Sequence, residues 1–184
     1  IARLFAARGN MDVAKRMINN LREDAAARGS SLILTNIDAY MAEIDGEGLD
    51  AIIATASGCG TTMKDYGFML RADKAYAEKA ALVSGKVRDI SEFVHGIANL
   101  KATPRAALRV AYHAPCSLQH GQKITRQPKE LLSKLGFVVK DVPEAHVCCG
   151  SAGVYNLLQP ELANRLRERK ITNIETNTPD VIAA

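Results

Sequence analysis

The sequence contains no tryptophan, and its five tyrosines and four phenylalanines are scattered, so it offers no stacking platform for single-stranded nucleic acid. No apolar run approaches the length of a membrane span; "LDAIIATA" and "ALRVAYHAP" read instead as buried strands. The opening "IARLFAARGN" lacks the charged head, apolar centre and small-residue cleavage site of a signal peptide. No Gly-x-Gly-x-x-Gly follows a strand, and "GCG" at 58–60 opens no such run, so hydride chemistry on a bound dinucleotide belongs to another chain. Cysteine is sparse as well. Four in 184 residues are too few for a disulfide scaffold, which leaves metal ligands or buried thiols in a reducing compartment.

What is present fits a globular chain: 47% hydrophobic and 24% charged residues allow one sizeable core or two small ones. The net charge of +4 is spread along helical stretches such as "KRMINNLRED" and "ANRLRERK", interleaved with acids. That pattern reads as solvated helix faces, not a nucleic-acid patch. Because the first residue is Ile1, the chain is expected to be a piece of a longer polypeptide.

Helix and strand signals alternate. Met11 to Arg28 carries Val13, Met17, Ile18 and Leu21 on one helical stripe, ended by Gly29. "SSLILTN" reads as a short apolar strand, Asp38 to Ile44 as a helix, and "LDAIIATAS" as a buried strand with Cys59 just beyond it. Met63 to Leu100 is Ala-rich and helical in period, and the loop "NLKATPRAA" marks a boundary between two units. Beyond it follow a strand in "LRVAYHAP", a loop with Cys116, a helix from Pro128 to Leu135, a strand in "FVVKDVP", the "HVCCG" segment, the helix "PELANRLRERKITNIE" and a last strand in "PDVIAA". Such alternation predicts an α/β fold with small, mainly parallel sheets flanked by helices.

A loose internal repeat is also visible. "MDVAKRMINNLRED" pairs with "PELANRLRERKITN" and "LDAIIATASGCG" with "PDVIAA": a charged amphipathic helix leads each time to an Asp-led apolar strand. The repeat places a further cysteine just past Ala184 and a Cys-Cys-Gly just before Ile1.

The cysteines carry the chemistry. Cys148 and Cys149 are adjacent, and a disulfide across one peptide bond strains both bond and backbone. Zinc favours ligands spaced two to four residues apart, whereas a cluster with several irons can use neighbouring thiolates on different irons. Gly150 and Gly153 would let backbone amides approach the inorganic sulfides. Pro115 stiffens the loop before Cys116; His113, in "YHAPC", can orient that loop, donate to a cluster sulfur, or simply be a satisfied strand-end histidine. Cys59 alone reads equally as a small buried hydrophobe. A Cys-His nucleophile, from His113 or His146 beside Cys116 or Cys148, lacks an evident third group or oxyanion site. His95 and His120 read as surface residues.

At "YHAPCSLQHGQ" and "HVCCGSAGVYNLLQPELANRL", preceded by "ATASGCGTTMKDYG", the chain resembles the C-terminal part of the iron–sulfur subunits of glycolate oxidase (glycolate dehydrogenase). More widely it resembles the CCG cysteine-rich proteins, among them the heterodisulfide reductase B-like proteins and the lactate-utilisation iron–sulfur subunits. The resemblance implies two tandem CCG units behind a ferredoxin-like domain. On that basis residues 1–100 hold the C-terminal portion of the first unit plus linking helices, and residues 101–184 the second unit without its last segment. It implies an oxidoreductase subunit with no catalytic residues of its own, relaying electrons through [4Fe–4S] clusters from flavin-containing partner subunits, with FAD on the partner only. Carried over by position, Cys59 matches the last ligand cysteine of the first unit. Cys116, Cys148 and Cys149 match the opening and central ligands of the second, whose closing cysteine would fall past Ala184, so the ligand set in this chain is incomplete. His113 and Gly150 are the expected cofactor-binding neighbours. A cytoplasmic location follows, with no membrane span, no nucleic-acid partner, and contact with the inner membrane face only through the complex. The alternatives are a heterodisulfide-reductase-like or lactate-utilisation-type redox subunit and, in another class, a zinc-stabilised interaction module.

Overall fold

A computed structural model describes residues 31–46, 48–97 and 107–184. The helix expected from Met11 to Arg28 and most of the "NLKATPRAA" boundary lie outside the described residues. The fold is α/β with two small, open, wholly parallel sheets, as the alternating signals predict.

The first half opens with helix α1 over residues 31–46, where "SSLILTN" suggests a strand. That expectation is overturned. Ile33, Ile37, Met41 and Ile44 recur at helical spacing and pack on one core cluster, while Leu32 points out at 62% exposure. The run Leu32–Ile33–Leu34 is short, and a short apolar run fits either element until its neighbours extend one period. After α1 come β1 (Ile52–Ala54), α2 (Ser57–Lys64), α3 (Tyr66–Met69), α4 (Ala77–Lys86), β2 (Val87–Asp89) and α5 (Ile90–Ile97). The stretch expected to be continuously helical is thus interrupted by β2, which pairs in parallel with β1 through Val87 opposite Ile52. Three residues with Val87 and Asp89 inward and Arg88 outward are too few to display a period of two against helical flanks. Ile37, Ile52, Ala54, Tyr66, Ala80, Val83 and Val87 form the core of this half.

The second half contains β3 (Arg109–Tyr112), a single-turn π-helix (Ser117–Gly121), α6 (Gln127–Lys134), β4 (Val138–Lys140), α7 (Tyr155–Leu158), α8 (Pro160–Glu175) and β5 (Val181–Ala183). β3 is the central strand, with β4 and β5 on its two sides. Ala111, Val142 and Ile174 form its core, so α8 packs against the sheet through Ile174. Asp180 starts β5 by a clamp: its carboxylate accepts from the Arg109 backbone N–H at 2.8 Å and from the guanidinium at 3.0 and 3.2 Å. These bonds hold its carboxyl at about 2, well below the ordinary range. α1 is the described helix that precedes β1; the "MDVAKRMINNLRED" stretch that the repeat pairs with α8 lies outside the described residues.

The halves meet through α2 and the π-helix. The Ser117 hydroxyl donates to Ser57 Oγ at 2.8 Å, Thr61 Oγ1 donates to the Ser117 carbonyl at 3.1 Å, and Gln122 Nε2 donates to the Ser57 carbonyl at 2.9 Å. A Cβ on Gly121 would stand 2.8 Å from Thr61 Cγ2, so glycine permits this approach. A second bridge joins His95 of α5 to Glu130 of α6 at 2.6 Å. His95 is therefore half-buried between helices, not the free surface residue expected. Among the described residues no helix is long and apolar enough to cross a membrane.

The α1 assignment has a direct check in urea denaturation. Ile37→Ala removes a fully buried side chain and is expected to cost roughly 2–5 kcal/mol, whereas Leu32→Ala should stay within about 0.5 kcal/mol.

Candidate metal centre

Parallel strands carry their sites at their C-terminal ends, and here β1, β2, β3 and β5 open at those ends into one crevice of about 440 Å³ lined by Thr55, Asp89, Tyr112, Pro115 and Ala184. The loop after β3 leads along this rim to Cys116. His113 N–H donates to the Ala183 carbonyl at 2.8 Å and so prolongs the β3–β5 pairing by one residue. Cys116 is exposed and caps the π-helix, whose first turn is fixed by Gln119 N–H donating to the Pro115 carbonyl at 2.9 Å. The backbone between His113 and Cys116 is thereby held at both ends.

Cys148 and Cys149 follow β4, beyond a tight turn closed by Val147 N–H on the Glu144 carbonyl at 2.9 Å. The turn is fastened to α8 from three positions on one face. Arg169 donates to both Glu144 carboxylate oxygens, one bond measuring 2.7 Å; Asn173 Nδ2 donates to the same carboxylate at 2.9 Å. Lys170 Nζ donates to the carbonyls of Glu144 and Ala145 at 2.9 and 3.2 Å. Arg169 first, then Asn173, hold the Glu144 carboxyl down at about 2. This fastening lets Glu144 sit at a φ of +50°, outside the usual range for a residue with a side chain.

Gly150 closes the segment and shows why the residue after the cysteines is glycine. Its φ is +87°, and a Cβ there would lie 2.2 Å from the Ala163 carbonyl oxygen of α8. No side chain fits that gap. Its N–H donates to Cys148 Sγ at 3.3 Å, the thiol sulfur itself and not an inorganic sulfide. Cys149 borders a separate cleft of about 410 Å³ with Ser151, Asn156, Pro160 and Arg167 on its walls.

The structure brings three of the four cysteines into one electrostatic neighbourhood. Burial raises the Cys116 thiol above its ordinary range, and Cys148 and Cys149 raise it further, while Lys170 draws it down. His113 shares that neighbourhood: burial and then Lys170 push its imidazole below the ordinary value, so it is neutral at pH 7. Cys59 stands apart. It is exposed at the third position of α2 and is not among the groups that act on Cys116.

The donor set distinguishes between metals. Among the described residues, no three His, Cys, Asp or Glu side chains close around one point as the ligands of a single ion do. Three cysteine thiols, two of them adjacent, with a backbone N–H turned to the Cys148 sulfur, are donors that fit an iron–sulfur cluster, in which neighbouring thiolates can serve different irons.

Comparison with known proteins supplies the family. Residues 110–184 match the family described as "CCG: Cysteine-rich domain". The match covers the second half of the chain alone. The match opens inside β3 and takes in Cys116, Cys148 and Cys149 but not Cys59. The chain is 42% identical over 159 residues to the glycolate oxidase iron–sulfur subunit of Escherichia coli, an alignment that covers 86% of this chain and 39% of that protein. It is 30% identical over 153 residues to the probable glycolate oxidase iron–sulfur subunit of Bacillus subtilis, covering 80% and 33%. It is 33% identical over 138 residues to a subunit of the CoM/CoB fumarate reductase of Methanothermobacter marburgensis, covering 74% and 26%. The chain thus spans two fifths or less of the length of these relatives. No solved structure matches.

Sequence reasoning misses the α8 side of the matched region. "ANRLRERK" reads as a solvated face, yet its Lys170 is buried at 4% exposure, on the same stripe as Ala163 and Ile174. The signal is there: 163, 170 and 174 follow helical spacing, and the lysine occupies an interior position of the stripe.

Two outcomes check this anatomy. In denaturation, Gly153→Ala should lose roughly 1–2 kcal/mol from its left-handed conformation alone, and Gly150→Ala should lose more because the Ala163 carbonyl blocks the new methyl. The depressed Glu144 carboxyl contributes stability that is present above its ordinary value of 4.5 and lost as pH falls toward about 2. Thermal melts through that window should therefore fall more steeply for the wild-type chain than for Glu144→Gln.

Proposed function

We propose that this chain is part of an electron-transfer iron–sulfur subunit of a glycolate-oxidising complex. The observation that carries the reading is that Cys116, Cys148 and Cys149, on the loops after β3 and β4, all fall within the residues that match the CCG cysteine-rich family. The similarity to glycolate oxidase iron–sulfur subunits over most of the chain supports the complex. The proposed division is into tandem CCG units at 1–100 and 101–184; two separate parallel sheets and a family match confined to residues 110–184 support it.

A bound [4Fe–4S] cluster supplies a one-electron relay and no group transfer. Oxidation of glycolate to glyoxylate releases two electrons and two protons, and both leave the substrate on a partner subunit that carries FAD. This chain's work is to hold the relay in place. Cys116, Cys148 and Cys149 would hold the cluster as thiolates, Gly150 N–H donates to the Cys148 sulfur, and His113 braces the Cys116 loop through its backbone. Cys59 belongs to the first unit and serves a separate site. The subunit works in the cytoplasm, against the inner membrane face through its complex.

A second reading, a redox protein of the heterodisulfide-reductase type in which the cluster meets the oxidant directly, has the similarity to the archaeal CoM/CoB fumarate reductase in its favour. The glycolate-oxidase relative covers more of this chain at higher identity. The two readings separate on the electron source: glycolate with the flavin partners should reduce the iron centre, and a disulfide alone should not reoxidise it.

Iron and acid-labile sulfide, measured on anaerobically purified natural full-length protein, test the ligand assignment. Cys116→Ser, Cys148→Ser and Cys149→Ser should each lose the same cluster's iron and its paramagnetic signal. Cys59→Ser should leave that signal unchanged. Zinc without iron in the wild-type protein would support the interaction-module alternative and overturn both redox readings.

A further inference from the structure

Lys170 is a charge for which the ligand set alone gives no use. It is 4% exposed, and its ammonium donates only to the Glu144 and Ala145 carbonyls. Among the described residues no carboxylate forms an ion pair with it. The carboxylate of Glu144, whose carbonyl Lys170 binds, is already taken by Arg169 and Asn173. A buried ammonium with two carbonyl acceptors and no counter-ion is an expensive arrangement. It becomes favourable once negative charge is placed nearby.

The position of that negative charge follows from where the ammonium is held. Its two acceptors, the Glu144 and Ala145 carbonyls, belong to the turn that runs into Cys148 and Cys149, two of the three proposed ligands. Solvent does not screen the ammonium from them, because α8 and the 144–147 turn cover it. A cluster on thiolate ligands is anionic, and gaining an electron makes it more so.

We propose that the Lys170 ammonium is the built-in counter-charge of the CCG cluster site, stabilising the thiolate ligand set and favouring the reduced state of the cluster. The proposal rests on the cluster reading above. Lys170 is a positioning and potential-setting residue; it binds no substrate. Its hydrogen bonds to the turn also brace the backbone before Cys148, and the test must separate bracing from charge.

Lys170→Gln makes that separation, since its amide can still donate to the Glu144 carbonyl but carries no charge; Lys170→Arg keeps the charge. In natural full-length protein purified anaerobically, a redox titration followed by electron paramagnetic resonance gives the reduced-to-oxidised ratio at fixed potential. The ratio is expected to fall about tenfold in Lys170→Gln, equivalent to about 59 mV for a one-electron couple, and to stay within about threefold of wild type in Lys170→Arg. A Lys170→Gln protein that is folded by circular dichroism yet loads no iron, while Lys170→Arg loads, supports the same role through the ligands. Iron-loaded Lys170→Gln with the wild-type potential overturns the counter-charge and leaves the cluster reading standing. An iron-free wild-type protein overturns both.

A second measurement needs no neutral variant to fold. In protein labelled with ¹⁵N-lysine, the side-chain resonance missing from Lys170→Arg identifies Lys170. That resonance is expected to move when the cluster is reduced; one that does not move overturns the proposal.

Discussion

The site depends on one fastening: the turn at 144–147 is tied to α8 by Arg169, Lys170 and Asn173, with Gly150 laid against the Ala163 carbonyl immediately after the cysteine pair. A segment that leaves β4 with no regular structure of its own would otherwise have many conformations to choose from. Ordering each residue costs roughly 1–2 kcal/mol of backbone entropy. Hydrogen bonds at Glu144, Ala145 and Val147, and the steric stop at Gly150, leave Cys148 and Cys149 little freedom. The pair is thus presented at one place.

The opposite wall is held with comparable economy but by other means. Cys116 sits between a prolonged strand pair at His113 and a π-helical turn, and that turn is seated on α2 of the first half. The first half therefore acts on the site at one remove. Its core fixes α2, α2 fixes the π-helix, and the π-helix fixes Cys116. Asp180 has the matching task at the other edge of β3, where its clamp on Arg109 sets the register of β5 and hence the Ala183 carbonyl that receives His113.

Much of this is legible in the sequence. The Asp-led apolar runs form β1 and β5, "LRVAYHAP" forms β3, and the cysteine pair with its following glycine marks the site. The Cys-Cys-Gly motif can be read because each residue has a chemical reason visible in its type. α1 and β2 cannot be read locally: "SLILTN" is a short apolar run whose period only the later Met41 and Ile44 decide, and β2 is three residues long between helices. Lys170 is hidden for a different reason. A lysine amid "RERK" looks solvated by composition, and only the packing of α8 onto the turn shows that this one faces inward. Tertiary contact overrides composition most easily on a long amphipathic helix, where one residue's shift around the stripe exchanges solvent for core.

The central claim is that Cys116, Cys148 and Cys149 hold one polynuclear iron–sulfur cluster. X-ray absorption at the iron edge of the anaerobically purified natural protein tests it most directly, because neighbouring irons scatter from one another and isolated ions do not. The account predicts a sulfur shell together with a short iron–iron shell, both lost in Cys148→Ser. Sulfur scattering with no iron–iron shell, or a metal content that is zinc alone, would contradict it.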